Sequence, residues 1–273
     1  MTEKRTSIHG QWTSRTVFIL AATGSAVGLG NIWKFPYITG ENGGGTFVLV
    51  YLLCIALIGV PIMMAEIMLG RRGKQSPINT MLALAKDEHR NPGWVWLGWM
   101  GVLAGFLILS YYSVIAGWAM SYVFRTGGGM FLGITADGAN SIFAALVGDP
   151  ERLLAWHTIF MLITMIVVAR GVKNGLEKAV TLLMPLLFAL LIVIVIYAMT
   201  TGYFMEGVRF LFTPGTIDGK GILTAMGHAF FTLSLGMGAI MVYGSYLSEE
   251  YSIVQASILI ALADTVVALL AGL

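Results

Sequence analysis

Seven long apolar runs, separated by short polar loops, fall at about 16–38, 46–70, 95–124, 153–170, 178–203, 221–248 and 252–273. A bilayer core is crossed by about 20 apolar residues in a helix, and each run approaches or exceeds that length. Hydrocarbon offers backbone N–H and C=O groups no partners, so only helices and closed barrels span it. The runs lack strict alternation and are too long for barrel strands, so they read as helices. Composition agrees: the 273 residues are 57% hydrophobic and 11% charged, with mean hydropathy +0.82. Soluble domains carry about 25% charged residues. The expectation is an all-α integral membrane protein, a single transmembrane domain over 1–273 with about seven spanning helices. The first run is too long for a signal peptide and has no cleavage pattern.

Charge sets the expected orientation. Lys4, Arg5, Arg15, Arg71, Arg72, Lys74, Lys86, Arg90, Arg170, Lys173 and Lys178 fall on one side of the expected topology, 11 of the 16 Lys and Arg. Lys34, Arg125, Arg152, Arg209 and Lys220 fall on the other. The positive-inside rule makes the N-terminus cytoplasmic. The net charge of +2 is a topology signal, with no nucleic-acid footprint. Cys54 is a single thiol inside the second run, which supports neither a disulfide framework nor a metal cluster. Loop 125–152 is Gly-rich, with a short helix expected in "NSIFAALV". Loops 71–94 and 204–220 read as connections, the latter through the turn cluster "TPGTIDGKG". The last run stops at Leu273, about ten residues past Asp264, and reads as cut within a span.

Two runs carry weak helix formers at their centres. In "ATGSAVGLGN", Gly24, Gly28 and Gly30 each cost about 1 kcal/mol against Ala in a helix. Close helix packing explains Gly24-x-x-x-Gly28. It explains Gly30-Asn31 less well, because Asn31 adds a polar group at depth. The sixth run, "FFTLSLGMGAI", places Thr232, Ser234, Gly236 and Gly238 in its middle. Paired interrupted spans at corresponding positions of two halves point to a midplane site in inverted-repeat transporters. Unwound backbone frees carbonyls for a cation, and half-helix N-termini offer N–H groups to an anion. Asp264, deep in a run without Lys or Arg, faces a cavity or partner, or is protonated and caps a neighbouring helix. With Asn31 and Thr232 it forms a plausible set of hard oxygen ligands for sodium. Glu66 is either a snorkelling interfacial acid or a functional one. Tyr111 and Tyr112 read equally as packing aromatics, and Trp94, Trp96 and Trp99 as a belt. His157 and His228 have no second ligand at metal spacing. No nucleophile–base pair accompanies the acids, which argues against an enzyme.

"GSAVGLGNIWKFPYITGENGGGTF" together with "FFTLSLGMGA" resembles the neurotransmitter:sodium symporter family, bacterial branch, with the LeuT-type fold. The resemblance covers the whole chain but only the first half or slightly more of a family member. It implies a truncated inverted-repeat helical bundle with the first and sixth helices broken, the first repeat over about 11–203 and the second beginning at about 221–273. It further implies sodium-coupled symport of an amino acid by alternating access, in a bacterial-type inner membrane, with no organic cofactor. The first sodium would take the Ala26 carbonyl, Asn31, Thr232 and Asp264; the second would take carbonyls of Gly24 and Val27. The fixed charge of Asp264 implies that chloride is not required. The substrate pocket would use Gly28, Leu29, Gly30, Tyr112, Phe231, Thr232, Ser234 and Met237. Gly28 leaves room for a carboxylate, and Met237 between two glycines implies a yielding pocket for hydrophobic or aromatic side chains. Gating falls to Lys34, Tyr112 and Phe231 on one side and to Trp12, with His9 at the usual arginine position, on the other. His228 stands where the family has Gln near an anion site, and Glu66 matches an acid that braces the broken sixth helix. The alternative is a non-transporting truncated product or an interaction partner of a full-length symporter.

Overall fold

A computed structural model describes residues 11–273, which form helices joined by short loops, with no strand among them. The first run is two helices. Helix α1 (Arg15–Ala26) is capped by Ser14, whose Oγ accepts the Val17 N–H at 3.2 Å. After Val27 leaves helical geometry, a π-helical turn at Gly30–Lys34 leads into α2 (Phe35–Glu41). The two halves are bent by 46°. The second run is α3 (Gly45–Cys54), a π-helical turn at Ile55–Gly59 and α4 (Val60–Gly73), continuous over 29 residues. Helix α5 (Pro77–Asp87) lies in the loop at 71–94, and α6 (Val95–Gly127) is the third run, 33 residues and about 50 Å long.

The short helix expected in the next loop is α7 (Ala136–Val147). Helix α8 (Pro150–Ala169) follows, with Asp149 Oδ1 capping the Arg152 N–H at 3.1 Å. A π-helical turn at Val172–Glu177 opens α9 (Lys178–Thr200), and α10 (Phe204–Phe212) occupies the loop before the sixth run. That run is α11 (Gly219–Thr232) and α12 (Ala239–Ser245), separated by Leu233–Gly238. The last helix is α13 (Ile253–Ala271). Among the described residues five helical segments are long and apolar enough to cross a membrane, six with the bent first pair. The sixth run is broken, as expected: neither of its halves is long enough to span alone, because the break takes six residues from the middle.

The core lies where α1, α2, α3, α4, α11, α12 and α13 meet, around Phe18, Phe35, Phe47, Tyr51, Met63, Ile67, Leu233, Ile240 and Ile260. Small residues set the closest approaches. A Cβ on Gly70 would collide with the Met241 carbonyl, so α4 and α12 touch backbone to backbone. Small residues also line the buried side of α6: a Cβ on Gly98 would meet Ile78 Cα at 2.6 Å, and one on Gly117 the His157 backbone at 3.0 Å. That is how membrane helices pack when burial of apolar area gives no net drive. The other faces are apolar and exposed; α8 buries none of its residues and α9 only Met184 and Leu191.

Candidate functional site

Both breaks face one another across the core, and three side chains from three elements meet there. Asp264, fully buried on α13, accepts Asn31 Nδ2–H at 2.8 Å and the Thr232 hydroxyl at 3.0 and 3.1 Å to its two oxygens. Asn31 Nδ2 also donates to the Asp264 backbone carbonyl at 3.1 Å, and Asn31 Oδ1 accepts the Gly28 N–H at 3.1 Å. Asn31 thus ties the end of the first break to α13. Tyr51 of α3 reaches the other Asp264 oxygen at 3.5 Å and packs against Phe35 and His228, with ring centroids 5.2 and 5.4 Å away. A buried carboxylate is costly unless fully hydrogen-bonded, and this one collects three neutral donors and no cation.

The sixth-run break is held in unusual backbone. Ser234 has φ +55°, in the left-handed region that a non-glycine residue enters at a cost, and Gly236 and Gly238 follow at +79° and +76°. Two bonds hold it there. Ser234 Oγ donates to the Ser25 carbonyl at 2.8 Å, spanning from one break to the other. Glu66 Oε1 accepts the Gly236 N–H at 2.7 Å. Glu66 is buried, so the bracing reading describes it and the snorkelling one does not.

Beside the breaks a cavity of about 360 Å³ is lined mainly by apolar side chains, among them Leu29, Gly30, Lys34, Tyr112, His228 and Phe231. The Tyr112 hydroxyl accepts the Leu29 N–H at 3.3 Å. Its own proton therefore points elsewhere. A Cβ on Gly28 would lie 2.7 Å from that hydroxyl, and one on Gly30 would lie 3.2 Å from Phe231 Cε1, so both glycines keep these rings close. Lys34 places Nζ over the Tyr37 ring at 5.7 Å from its centroid.

The expected residues do not all converge. Leu29, Gly30, Tyr112, Phe231 and Lys34 share the cavity, with Gly28 touching Tyr112 behind it. Thr232, Asn31 and Asp264 form the carboxylate cluster, with Ala26 and Val27 buried at the adjoining end of α1. Gly24 packs on α9, where a Cβ would meet Met184 Sδ at 2.9 Å, as close packing requires. Ser234 and Met237 do not line the cavity: Ser234 bonds to Ser25, and the Met237 backbone lies against Gly101 of α6. Trp12 is buried against α12, with Nε1 donating to the Tyr243 carbonyl at 3.0 Å and edge contacts to Tyr243 and Tyr246. His9 lies outside the described residues. Tyr51 and Ser25 were missed from sequence, though each is a hydroxyl within an apolar run, the same signal that singled out Asp264.

The sodium:neurotransmitter symporter family model matches residues 9–128 and 146–273. The chain is 42% identical over 265 residues to the sodium-dependent transporter YhdH of Bacillus subtilis (strain 168), covering 96% of this chain and 58% of that protein. It is 25% identical over 272 residues to the sodium-dependent neutral amino acid transporter B(0)AT2 of Bos taurus, covering 88% of this chain and 36% of the relative. The crystal structure of MhsT in complex with L-phenylalanine superposes with a TM-score of 0.86 at 48% identity, over 96% of this chain and 59% of MhsT. This is the LeuT-type fold. The chain spans under three-fifths of the length of these relatives.

Proposed function

Because the chain belongs to the sodium:neurotransmitter symporter family, a family of transporters and not of enzymes, we propose that it carries a hydrophobic or aromatic amino acid together with sodium by alternating access. It is a multi-pass membrane protein, and sodium dependence comes with the family. The observation that carries the finer reading is the buried Asp264 carboxylate, which sits among neutral hydroxyl and amide groups beside both helix breaks. A hard monovalent cation suits one carboxylate with neutral oxygens. To admit it, the Asn31 amide and Thr232 hydroxyl turn their protons away from Asp264 and present oxygen instead, with the Ala26 carbonyl completing the set. A second sodium would use carbonyls of Gly24 and Val27.

The substrate carboxylate would bind at Leu29 and Gly30, where the free proton of the Tyr112 hydroxyl supplies a further donor. The apolar cavity wall and Phe231 favour a hydrophobic side chain; MhsT is solved with phenylalanine. The fixed charge at Asp264 removes the need for chloride. Lys34, Tyr112 and Phe231 act as the outer gate and Trp12 as part of the inner one, with the N-terminus cytoplasmic and the two repeats at about 11–203 and 221–273.

Binding of radiolabelled leucine or tryptophan to the purified chain tests this. Binding in sodium chloride and sodium gluconate, with little in potassium, is expected; equal binding in potassium overturns it. A second reading draws on the exposed apolar faces of α8 and α9: the chain serves as a partner of a longer relative. Uptake by proteoliposomes containing this chain alone excludes that reading.

A further inference from the structure

In the expected topology only five Lys and Arg fall on the side opposite the basic loops, and two of them converge. Arg125, in the last turn of α6, and Arg152, in the first turn of α8, line a cavity of about 330 Å³ together with Ser121, Phe124, Gly128, Met130 and Trp156. No carboxylate lines it. Arg125 spends its donors on weak acceptors: Nε on Ser121 Oγ at 3.1 Å, and Nη1 toward Met130 Sδ at 3.9 Å. No carboxylate pairs with it among the described residues. Arg152 Nε pairs with Asp149 Oδ2 at 2.9 Å, which engages one edge of its guanidinium and leaves the other. Two guanidiniums therefore border the cavity against a single carboxylate outside it, which leaves one positive charge unmatched.

Its position says what completes it. Both helices are long and apolar enough to cross a membrane, and the cavity lies between the C-terminal end of one and the N-terminal end of the other, the part of a spanning helix that meets lipid headgroups. One wall is the stacked pair Phe124 and Trp156, with centroids 5.5 Å apart, of the kind that occupies the bilayer interface. Phe124 of that pair and Leu154 of α8 are 66% and 64% exposed, an apolar surface continuous with the cavity. Planar guanidinium forks match phosphate oxygens in a bidentate manner, as a compact ammonium does not.

We propose that Arg125 and Arg152 bind the phosphodiester of an anionic phospholipid, with its acyl chains running down the exposed faces of α6 and α8. A free phosphate shares the chemistry of the head but lacks the chains.

The test is thermal unfolding of the purified chain in detergent, titrated with phosphatidylglycerol, phosphatidylcholine or inorganic phosphate, alongside native mass spectrometry of retained lipid. Phosphatidylglycerol is expected to stabilise with an apparent affinity about tenfold tighter than phosphatidylcholine, a factor that one charge-assisted contact supplies. Inorganic phosphate should be inert at the same concentrations. The Arg125→Gln/Arg152→Gln variant should lose that difference and one bound lipid, whereas Arg209→Gln keeps both. If the double variant does not fold, Arg125→Gln alone gives the same readout in reduced form. Equal stabilisation by the two lipids, an unchanged difference in the variants, or an inorganic phosphate effect as large as the lipid's overturns the proposal.

Discussion

Thr232 donates to both oxygens of Asp264, and nothing else on α11 reaches that carboxylate. Thr232→Val keeps the shape and removes the donor, so a loss of about 1–3 kcal/mol is expected in denaturant unfolding, with Thr232→Ser largely restoring stability. Ser234 separates two effects in one position. Ser234→Ala keeps a side chain at φ +55° and loses the bond to the Ser25 carbonyl, whereas Ser234→Gly loses the bond but relieves the backbone. Melting temperatures should therefore fall further for Ala than for Gly; the reverse order would show that the backbone is unstrained. At this scale the sequence exposed Asn31, Thr232 and Asp264, because polar groups at membrane depth need a reason. It did not expose Tyr51, whose hydroxyl was hidden among aromatics that serve equally as packing. Nor did it show that Ser234 turns toward Ser25, since rotamer direction depends on backbone that only the fold supplies.

Elements are joined here by glycine, and the same substitution has different consequences at different contacts. A Cβ on Gly59 would meet the tip of Leu233, a flexible side chain, at 2.7 Å. On Gly70 it would strike the Met241 backbone carbonyl, which has nowhere to go. Gly59→Ala is expected to cost about 1 kcal/mol or less, offset by its better helix propensity, while Gly70→Ala pushes α12 from α4 and costs about 3 kcal/mol or more. Unfolding of the two variants side by side checks the contrast. Both helix breaks were legible, since Gly, Asn and Ser at mid-run oppose helix strongly enough to outweigh apolar context. Helices α5 and α10 were read as loop. Each is short, and loop 204–220 was judged by its turn cluster "TPGTIDGKG", which begins only after Phe212.

For the molecule as a whole the membrane is the solvent, and α8 is its clearest measure. None of its residues is buried, and Ile163 near its middle is 50% exposed. Ile163→Asp places a charge against hydrocarbon, at about 2.5–3.5 kcal/mol on insertion scales, and should reduce the membrane-inserted yield while Ile163→Leu leaves it unchanged. Sodium gives a global readout of the Asp264 cluster. On the proposed function, sodium raises the melting temperature of the chain over equimolar potassium, and Asp264→Asn abolishes that difference. A sodium effect of equal size in the variant would place the ion elsewhere.

Apolar run length and the placement of Lys and Arg determined, from sequence alone, that the chain is helical and membrane-embedded, and the mid-run glycines determined where two helices break. These properties follow from local chemistry, since hydrocarbon demands internal hydrogen bonds and glycine weakens a helix wherever it stands. Which polar groups meet was decided by the tertiary structure. Asn31 and Asp264 are 233 residues apart, and Ser25 and Ser234 are 209 apart. Such pairs form only when packed helices bring buried donors to the acceptors that satisfy them, and that requirement acts on the assembled bundle and on no single segment.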